Sequence, residues 1–131
     1  MKNTSDLKKK IIKVEGCPQA IGPYSQAVRA DNLLFVSGNL PVDPATGKIP
    51  EGVEKQTHTV LGNIATLLKG AGLDMSDIIK TTLFIKDMND FSVINAIYAE
   101  YFTSDYPARS TVEVARLPKD ALIEIECIAK Y

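Results

Sequence analysis

The stretch from Ile78 to Lys86 constrains the fold of this chain most. Its sequence, IIKTTLFIK, places β-branched and aromatic side chains at both odd and even positions. A strand with one face in water alternates apolar and polar residues, whereas a strand buried on both faces does not. We therefore predict a strand inside a sheet, with cover needed on both of its faces.

Two helices are predicted to supply part of that cover. Over Val53–Ala71, apolar residues recur at helical spacing, and Gly70 and Gly72 mark the end of the helix. A second helix follows Asn89 or Asp90, either of which can cap its first turn. Its apolar stripe consists of Phe91, Ile94, Ile97, Tyr98 and Tyr101.

The other predicted strands are short and separated by turn residues. They lie at Ile11–Val14, Ala27–Arg29, Leu33–Ser37, Thr111–Arg116 and Ala121–Ala129. The order β-β-β-α-β-α-β-β indicates a single α+β domain with both helices on one face of the sheet. No third helix is available for the other face, so we expect self-association to cover it. Residues 1–10 are expected to form a flexible polar N-terminus, and residues 11–131 the domain.

Composition and charge exclude several classes of function. With 15 basic and 16 acidic residues the net charge is −1, whereas a general nucleic-acid binder carries a basic surface. The single histidine, His58, rules out a histidine-rich metal site within one chain, and its position on the first helix indicates a solvated residue. No apolar run reaches the roughly 20 residues of a membrane span, and no apolar signal region is recognisable at the N-terminus. We therefore expect a cytoplasmic protein with neither a membrane nor a nucleic-acid partner.

Common motifs for phosphate, disulfide or nucleophilic chemistry are missing from the sequence. Gly47 and Lys48 resemble the end of a phosphate-binding loop, but Val42 and Ile49 stand where that motif needs a glycine and a hydroxyl residue. Two cysteines far apart in the sequence, with no CxxC motif, fit free thiols in a reducing compartment better than a disulfide.

Arg109 is the first candidate for binding chemistry. It follows Pro107 just before a predicted strand, and a guanidinium in such a place can hold a carboxylate through two parallel hydrogen bonds. The alternative is a structural ion pair with Glu113, Glu124 or Glu126. The residues alone favour this alternative slightly.

The last strand adds carboxylates to the picture. Alternation places Glu124 and Glu126 on the face opposite its apolar side chains. If residues 117–120 join the last two strands as a hairpin, Glu113 lies opposite Glu124, and Thr111 lies opposite Glu126. Arg109 then shares one face with all four. Clustered carboxylates raise one another's pKa, which suits proton transfer near neutral pH. The alternative is a hydrated sheet face balanced by Arg109 and lysines.

Longer motifs carry a resemblance to a known family. They include AIGPYSQ at residues 20–26, FVSGNLP at 35–41, KDMNDF at 86–91 and PARSTVEVARLP followed by IEIE at 107–126. In these motifs the sequence resembles the RidA/YjgF family of enamine/imine deaminases over nearly the whole chain after residue 10. The resemblance implies a chorismate-mutase-like fold and a homotrimer with ligand clefts between subunits.

The resemblance also implies roles for particular residues. Arg109 corresponds to the arginine that binds the substrate carboxylate, and Glu124 to the glutamate that positions water. The hairpin register would place Glu126 nearer to Arg109, and we follow the motif. The implied substrate-binding residues are Tyr24, Ser37, Gly38, Phe91, Asn95 and Thr111. Two positions depart from the family pattern, because Thr111 stands where cysteine is common and Asn39 where glutamine is frequent.

The activity implied by the resemblance is hydrolysis of 2-imino acids and their enamine tautomers to 2-keto acids and ammonia. Such imines arise when pyridoxal-phosphate dehydratases act on serine or threonine, so a functional link to those enzymes is expected. The protonated imine is already electrophilic, so no metal and no cofactor are expected. The alternative is a non-catalytic trimer that binds small carboxylates such as 2-keto acids as a sensor or regulator. RNA cleavage, attached to some relatives, is disfavoured by the charge balance.

Overall fold

The structure is a computed structural model that describes residues 8–131. It contains six strands and two α-helices, with 3₁₀ turns at Met75–Asp77, Met88–Asp90 and Pro118–Asp120. In chain order these are β1 (Lys9–Ile12), β2 (Ala27–Ala30), β3 (Leu33–Asn39), α1 (Val53–Gly70), β4 (Ile78–Ile85), α2 (Phe91–Glu100), β5 (Ala108–Glu113) and β6 (Ile123–Lys130). The α+β class and the predicted order of elements are confirmed.

The strands form one six-stranded mixed sheet in the order β1-β2-β3-β6-β4-β5. All neighbours are antiparallel except β4 and β5, which run parallel. The strand β4 lies between β5 and β6 and is therefore inside the sheet, as predicted. Because β4 has a hydrogen-bonded neighbour on each side, water can reach it only at its two faces. Apolar side chains on both faces are typical of a strand that is covered on both.

Both helices pack on the same face of the sheet. The core between the layers is built from apolar side chains of α1, α2 and every second residue of the inner strands. The fully buried members include Leu61, Ile64, Leu67, Leu83, Ile85, Ile94, Ile123 and Ile125. On the opposite face, Phe35 and Val112 remain 43% and 42% exposed, beside the half-buried Phe84 and Ile128. Exposed apolar side chains grouped on one sheet face are typical of a surface that binds another molecule.

The first helix ends where the sequence indicates. Gly70 is its last residue, and a Cβ at that position would collide with the side chain of Val14. Gly72 follows with a φ of +85°, a left-handed conformation that glycine adopts without strain. The predicted end at Ala71 is therefore correct to within one residue.

The cap of the second helix is a different residue from the two predicted. The carboxylate of Asp87 accepts a hydrogen bond from the backbone N–H of Asn89 and caps the 3₁₀ turn that leads into α2. Asp90 stands at the N-cap position of α2 but makes no side-chain cap there. The chain thus enters the helix through an extra 3₁₀ turn, which moves the cap upstream.

Two strands are displaced from their predicted positions. β1 begins at Lys9 and ends at Ile12, so the expected boundary at residue 10 falls inside this strand, and residues 1–7 lie outside the described residues. β5 begins at Ala108, three residues before the predicted Thr111. It is an edge strand, so only one side of its backbone needs a partner.

The hairpin predicted between the last two strands is wrong. β5 pairs with β4 in parallel, Arg109 opposite Thr81 and Thr111 opposite Leu83, whereas β6 pairs with β3 and β4. Residues 114–122 therefore cross the end of β4 instead of reversing tightly. The connection is longer than a hairpin because β4 lies between β5 and β6 in the sheet, and sequence alternation alone does not reveal this order of strands. Within residues 8–131, neither helix has the length and hydropathy needed to cross a bilayer.

Candidate functional site

A cavity of about 810 Å³ opens at one end of the sheet. Its walls come from the loop that precedes β2, the end of β3, the loop after it and the start of β6. Four predicted site residues line it: Tyr24, Ser37, Gly38 and Glu124. The cavity also contains Glu126, so both carboxylates of the last strand face it.

The loop that carries Tyr24 is held in place by Gln26. This side chain is only 6% exposed, and its amide oxygen accepts from the Val14 backbone N–H at 2.7 Å. Its amide nitrogen donates to the backbone oxygens of Pro18 at 2.8 Å and Val14 at 3.1 Å. A buried amide with these partners joins three separate stretches of chain. Tyr24 itself is 49% exposed, so it is available at the cavity mouth.

The end of β3 is irregular at the cavity. The register with β6 shifts between Val36 and Asn39, which places Ser37 and Gly38 in a bulge. The Ser37 hydroxyl donates to the backbone oxygen of Ser25 at 2.6 Å, so its lone pairs remain available as acceptors. The Asn39 amide donates to the Ser37 backbone oxygen at 2.9 Å and thereby supports the bulge from within the chain.

Gly38 lets the carboxylate of Glu124 lie directly against the backbone. A Cβ built at Gly38 would collide with Glu124 Oε2, so any side chain there would displace the carboxylate. Burial raises the pKa of Glu124, and the neighbouring charge of Glu126 raises it further. The result is a carboxyl group that exchanges protons closer to neutral pH than an ordinary glutamate does.

Arg109 belongs to a second group of residues, at the β5 edge and beneath α2. Its guanidinium carbon lies 4.9 Å from the ring centroid of Tyr98 and 5.5 Å from that of Phe91. Among residues 8–131 the Arg109 side chain takes part in no hydrogen bond or ion pair. The salt bridge within this part of the chain joins Arg116 to Asp120 instead. The guanidinium donors are thus free to bind a ligand.

Two polar atoms on the elements that surround Arg109 are buried and lack hydrogen-bond partners among the described residues. These atoms are Asn95 Oδ1 on α2 and Thr111 Oγ1 on β5. Each unmade hydrogen bond of a buried group costs roughly 1–3 kcal/mol. Such atoms in a native structure call for an explanation, and a ligand, a water molecule or a second copy of the chain would supply one.

The predicted site residues therefore fall into two groups on opposite faces of the sheet. Arg109 shares its face with Thr81 and the helices, whereas Glu124 pairs with Phe84 on the open face. The expectation that Arg109, Thr111 and the three acids share one face is wrong, because β4 separates β5 from β6. Glu113 lies on the helix side, where it accepts from the Met88 backbone N–H at 2.8 Å, and it forms no ion pair with Arg109.

Two residues that support the site did not emerge from the sequence as functional candidates. The sequence places Tyr98 only in the apolar stripe of the second helix, and Gln26 only in a loop motif. For Tyr98 a signal exists, since Phe91, Asn95 and Tyr98 recur at helical spacing and lie on one side of α2. The predicted solvated residue, His58, is exposed and hydrogen-bonds the Tyr101 hydroxyl at 2.9 Å.

Fold and site together define a class of small α+β proteins with a cavity beside a partly buried glutamate on one face of the sheet and an arginine on the other face. A family model described as Endoribonuclease L-PSP matches residues 15–131. A RutC family protein of Pyrococcus horikoshii is 54% identical over 122 residues, which are 92% of this chain and 97% of that protein. A 2-iminobutanoate/2-iminopropanoate deaminase of Escherichia coli is 50% identical over 123 residues, 92% of this chain and 96% of that protein.

A solved structure agrees with these relatives. The crystal structure of Escherichia coli TdcF with bound serine has a TM-score of 0.90 and 48% identity, and it covers 93% of this chain and 98% of that one. The chain belongs to the Endoribonuclease L-PSP family, the family of the RidA/YjgF deaminases. The resemblance stated from the sequence motifs is thereby confirmed.

Proposed function

We propose that this chain hydrolyses reactive 2-imino acids, such as 2-iminobutanoate and 2-iminopropanoate, to 2-keto acids and ammonia. The similarity to named deaminases at about half identity over most of the chain supports this activity. The structural observation that carries the proposal is the position of the Arg109 guanidinium, which has no carboxylate partner among the described residues. Its guanidinium lies over aromatic rings instead of beside carboxylates. Two of its N–H groups can therefore donate parallel hydrogen bonds to the carboxylate of the substrate.

The proposed mechanism needs only side chains of this protein and one water. Arg109 holds the carboxylate, while Asn95 Oδ1 and Thr111 Oγ1 are free to accept hydrogen bonds beside it. The ionised Glu124 takes a proton from the water that attacks the imine carbon, and a carbinolamine forms. Glu124 then returns that proton to the nitrogen, the carbon–nitrogen bond breaks and ammonia leaves, while the proton of the carbinolamine hydroxyl passes to the ionised Glu124 as the keto group forms.

The remaining predicted residues would complete the pocket. The Ser37 oxygen, whose own proton is directed to Ser25, is free to accept from the imine N–H group. Gly38 allows Glu124 to approach the backbone closely, and Tyr24 stands at the exposed mouth of the cavity. Phe91 supports Arg109 from one side.

We propose that the working unit is a homotrimer. Arg109 and Glu124 lie on opposite faces of one sheet, so a single chain does not place both on one substrate. A neighbouring copy that covers the open face would bring its own Arg109 group to the Glu124 cavity. It would also bury the exposed Phe35 and Val112, and it would supply partners for polar atoms that lack them.

A coupled assay tests the activity. A serine or threonine dehydratase, the class of pyridoxal-phosphate enzyme expected to supply the imine, generates it in a buffer without nucleophiles. Release of the 2-keto acid is then followed with and without this protein. We expect the parent to accelerate release, Arg109→Ala to lose roughly 100-fold in kcat/KM, and Glu124→Gln to lose roughly 100-fold or more in kcat. Equal rates for the parent and Arg109→Ala at subsaturating substrate would reject the proposal.

A non-catalytic trimer that binds 2-keto acids remains the alternative. It uses the same arginine but assigns no role to Glu124. Both functions predict calorimetric binding of 2-oxobutanoate by the parent and by Glu124→Gln, so turnover separates them: only the deaminase accelerates keto-acid release, and only its rate falls in Glu124→Gln. If the parent binds 2-oxobutanoate but never accelerates keto-acid release, the alternative is the correct one.

A further inference from the structure

Arg109 is held in an unusual way for a buried or half-buried cation. Such charges in proteins are generally paired with a carboxylate. Within the part of the chain that the structure describes, the Arg109 side chain has no carboxylate and no hydrogen-bond acceptor. Its ordered neighbours are the faces of two rings from α2, those of Phe91 and Tyr98. An arginine on aromatic faces is attracted by the ring quadrupoles, and its donors remain unused.

The two rings are not equally fixed. Tyr98 is 5% exposed and Thr81 is 1% exposed, and their hydroxyls share a 2.8 Å hydrogen bond. Thr81 is the residue of β4 that pairs with Arg109 in the parallel register. The Tyr98 ring is therefore tied to the strand position directly beside the arginine, whereas Phe91 is only half-buried at the start of the helix.

We infer that Tyr98 is a positioning residue for substrate binding: its ring face, fixed through Thr81, holds the Arg109 guanidinium in place while leaving all of its donors free for a carboxylate. This inference rests on the proposed function of Arg109. A carboxylate partner would hold the arginine as firmly, but it would occupy the same donors that the substrate needs. An aromatic partner separates the two tasks.

Two variants of Tyr98 separate the contribution of its ring from that of its hydroxyl. Tyr98→Leu removes the ring face, and we expect KM for the imine to rise roughly 3- to 30-fold with little change in kcat. Tyr98→Phe keeps the ring face but loses the hydrogen bond that fixes it to Thr81, so its KM should lie between that of the parent and that of Tyr98→Leu. A structural role alone would not produce this separation of KM from kcat.

Phe102→Leu is the matched control. Phe102 is buried, with 8% of its surface exposed, and its ring centroid lies 4.8 Å from that of Tyr98. Its ring is not one of the two that face Arg109. The variant removes a similar volume from the same region, so it should lower the melting temperature to a similar extent and leave KM unchanged. An equal rise in KM for Phe102→Leu and Tyr98→Leu would overturn the inference.

A second measurement does not depend on turnover. In ¹H–¹⁵N NMR spectra, the Arg109 Nε–H resonance, assigned by its loss in Arg109→Lys, should be shifted by the ring current of Tyr98. We expect the shift to persist in Tyr98→Phe and to move toward the random-coil position in Tyr98→Leu. An unmoved resonance in Tyr98→Leu would overturn the inference, even if the assay shows an active enzyme. If the parent lacks activity while the resonance moves as expected, the proposed function fails and the positioning of Arg109 stands.

Discussion

Arg109 and Glu124 carry opposite charges, and the fold keeps them apart. Glu124 lies against the backbone of Gly38 in a cavity with a second carboxylate, and Arg109 lies over two aromatic rings. At the residue scale each group is therefore tuned by its surroundings. The pKa of Glu124 is raised, which suits its carboxyl group to proton transfer. The N–H donors of the Arg109 guanidinium remain free for a ligand.

The contact between Gly38 and Glu124 leads to a sharp prediction. Gly38→Ala should displace the Glu124 carboxylate, because the new Cβ would occupy its position. We expect turnover to fall roughly 10- to 100-fold, with a small change in stability since the far end of a flexible side chain can move. Steady-state kinetics and thermal melting measure the two effects.

Gly62→Ala provides the matched control for that prediction. A Cβ at Gly62 meets nothing within 4 Å, and the residue lies inside α1. Alanine should stabilise the helix by about 0.5–1 kcal/mol and leave turnover unchanged. Full activity in Gly38→Ala would mean that the position of Glu124 does not matter for the reaction.

The raised pKa of Glu124 predicts a pH dependence. The ionised form acts as the base, so turnover should fall as the pH drops through a pKa that lies above the ordinary value of 4.5. Burial is the main cause and the charge of Glu126 the second. Glu126→Gln removes a like charge and lowers the pKa of Glu124, so the acidic limb of the kcat profile should move to lower pH. An unchanged limb, or one at higher pH, would contradict this assignment.

At the element scale, the loop before β2 depends on one buried amide. Gln26 connects Val14, Cys17 and Pro18 to the start of β2, and its backbone oxygen accepts from Ser37 N–H at 3.0 Å. The loop has little regular backbone pairing of its own. Its shape, and with it the position of Tyr24, therefore follows from a side chain.

Gln26→Leu should destabilise the protein by about 2–4 kcal/mol, because backbone groups that now bond the amide lose their partner. Urea unfolding measures this difference. Gln19→Ala is the control, since Gln19 also donates to backbone oxygens of Val14 and Cys17 but is exposed. Water can replace those bonds, so the control should lose less than about 1 kcal/mol. Equal losses would show that the burial of Gln26 is unimportant.

At the scale of the whole molecule, the sheet has one covered and one open face. The open face presents Phe35, Phe84, Val112 and Ile128 beside the cavity with Glu124. An apolar face of this kind next to an incomplete site is what an assembly of copies would cover. The open face and the separation of Arg109 from Glu124 both support the proposed association of copies, and the number three comes from the family resemblance.

Phe35→Glu should disrupt this assembly, because it places a charge on the face that the neighbouring copy buries. The chain mass is 14.3 kDa, and light scattering after size exclusion should show a shift from about three times that mass to a single chain. Val93→Glu, on the helix layer and 36% exposed, should leave the mass unchanged. Deaminase activity should disappear together with the trimer. A monomeric parent with full activity would contradict the proposed assembly.

Local patterns sufficed for much of this fold. Helical periodicity and the glycines predicted α1 to within one residue, and the β-branched and aromatic residues at both odd and even positions of Ile78–Lys86 predicted an inner strand. These features depend on interactions between residues close in sequence, which a pattern reports directly. The motif that contains Arg109 likewise identified the family before any geometry was known.

Tertiary structure decided which residues meet. The parallel pairing of β5 with β4 is a long-range contact, and it places Arg109 on the helix side with Tyr98 instead of beside Glu124 and Glu126. The free energy of pairing two strands depends on the whole sheet, whereas alternation within one strand specifies only that two faces exist. Sequence by itself therefore determined the elements, the family and the candidate residues. The faces on which those residues lie, and the aromatic support of Arg109, were determined by the order of strands in the sheet.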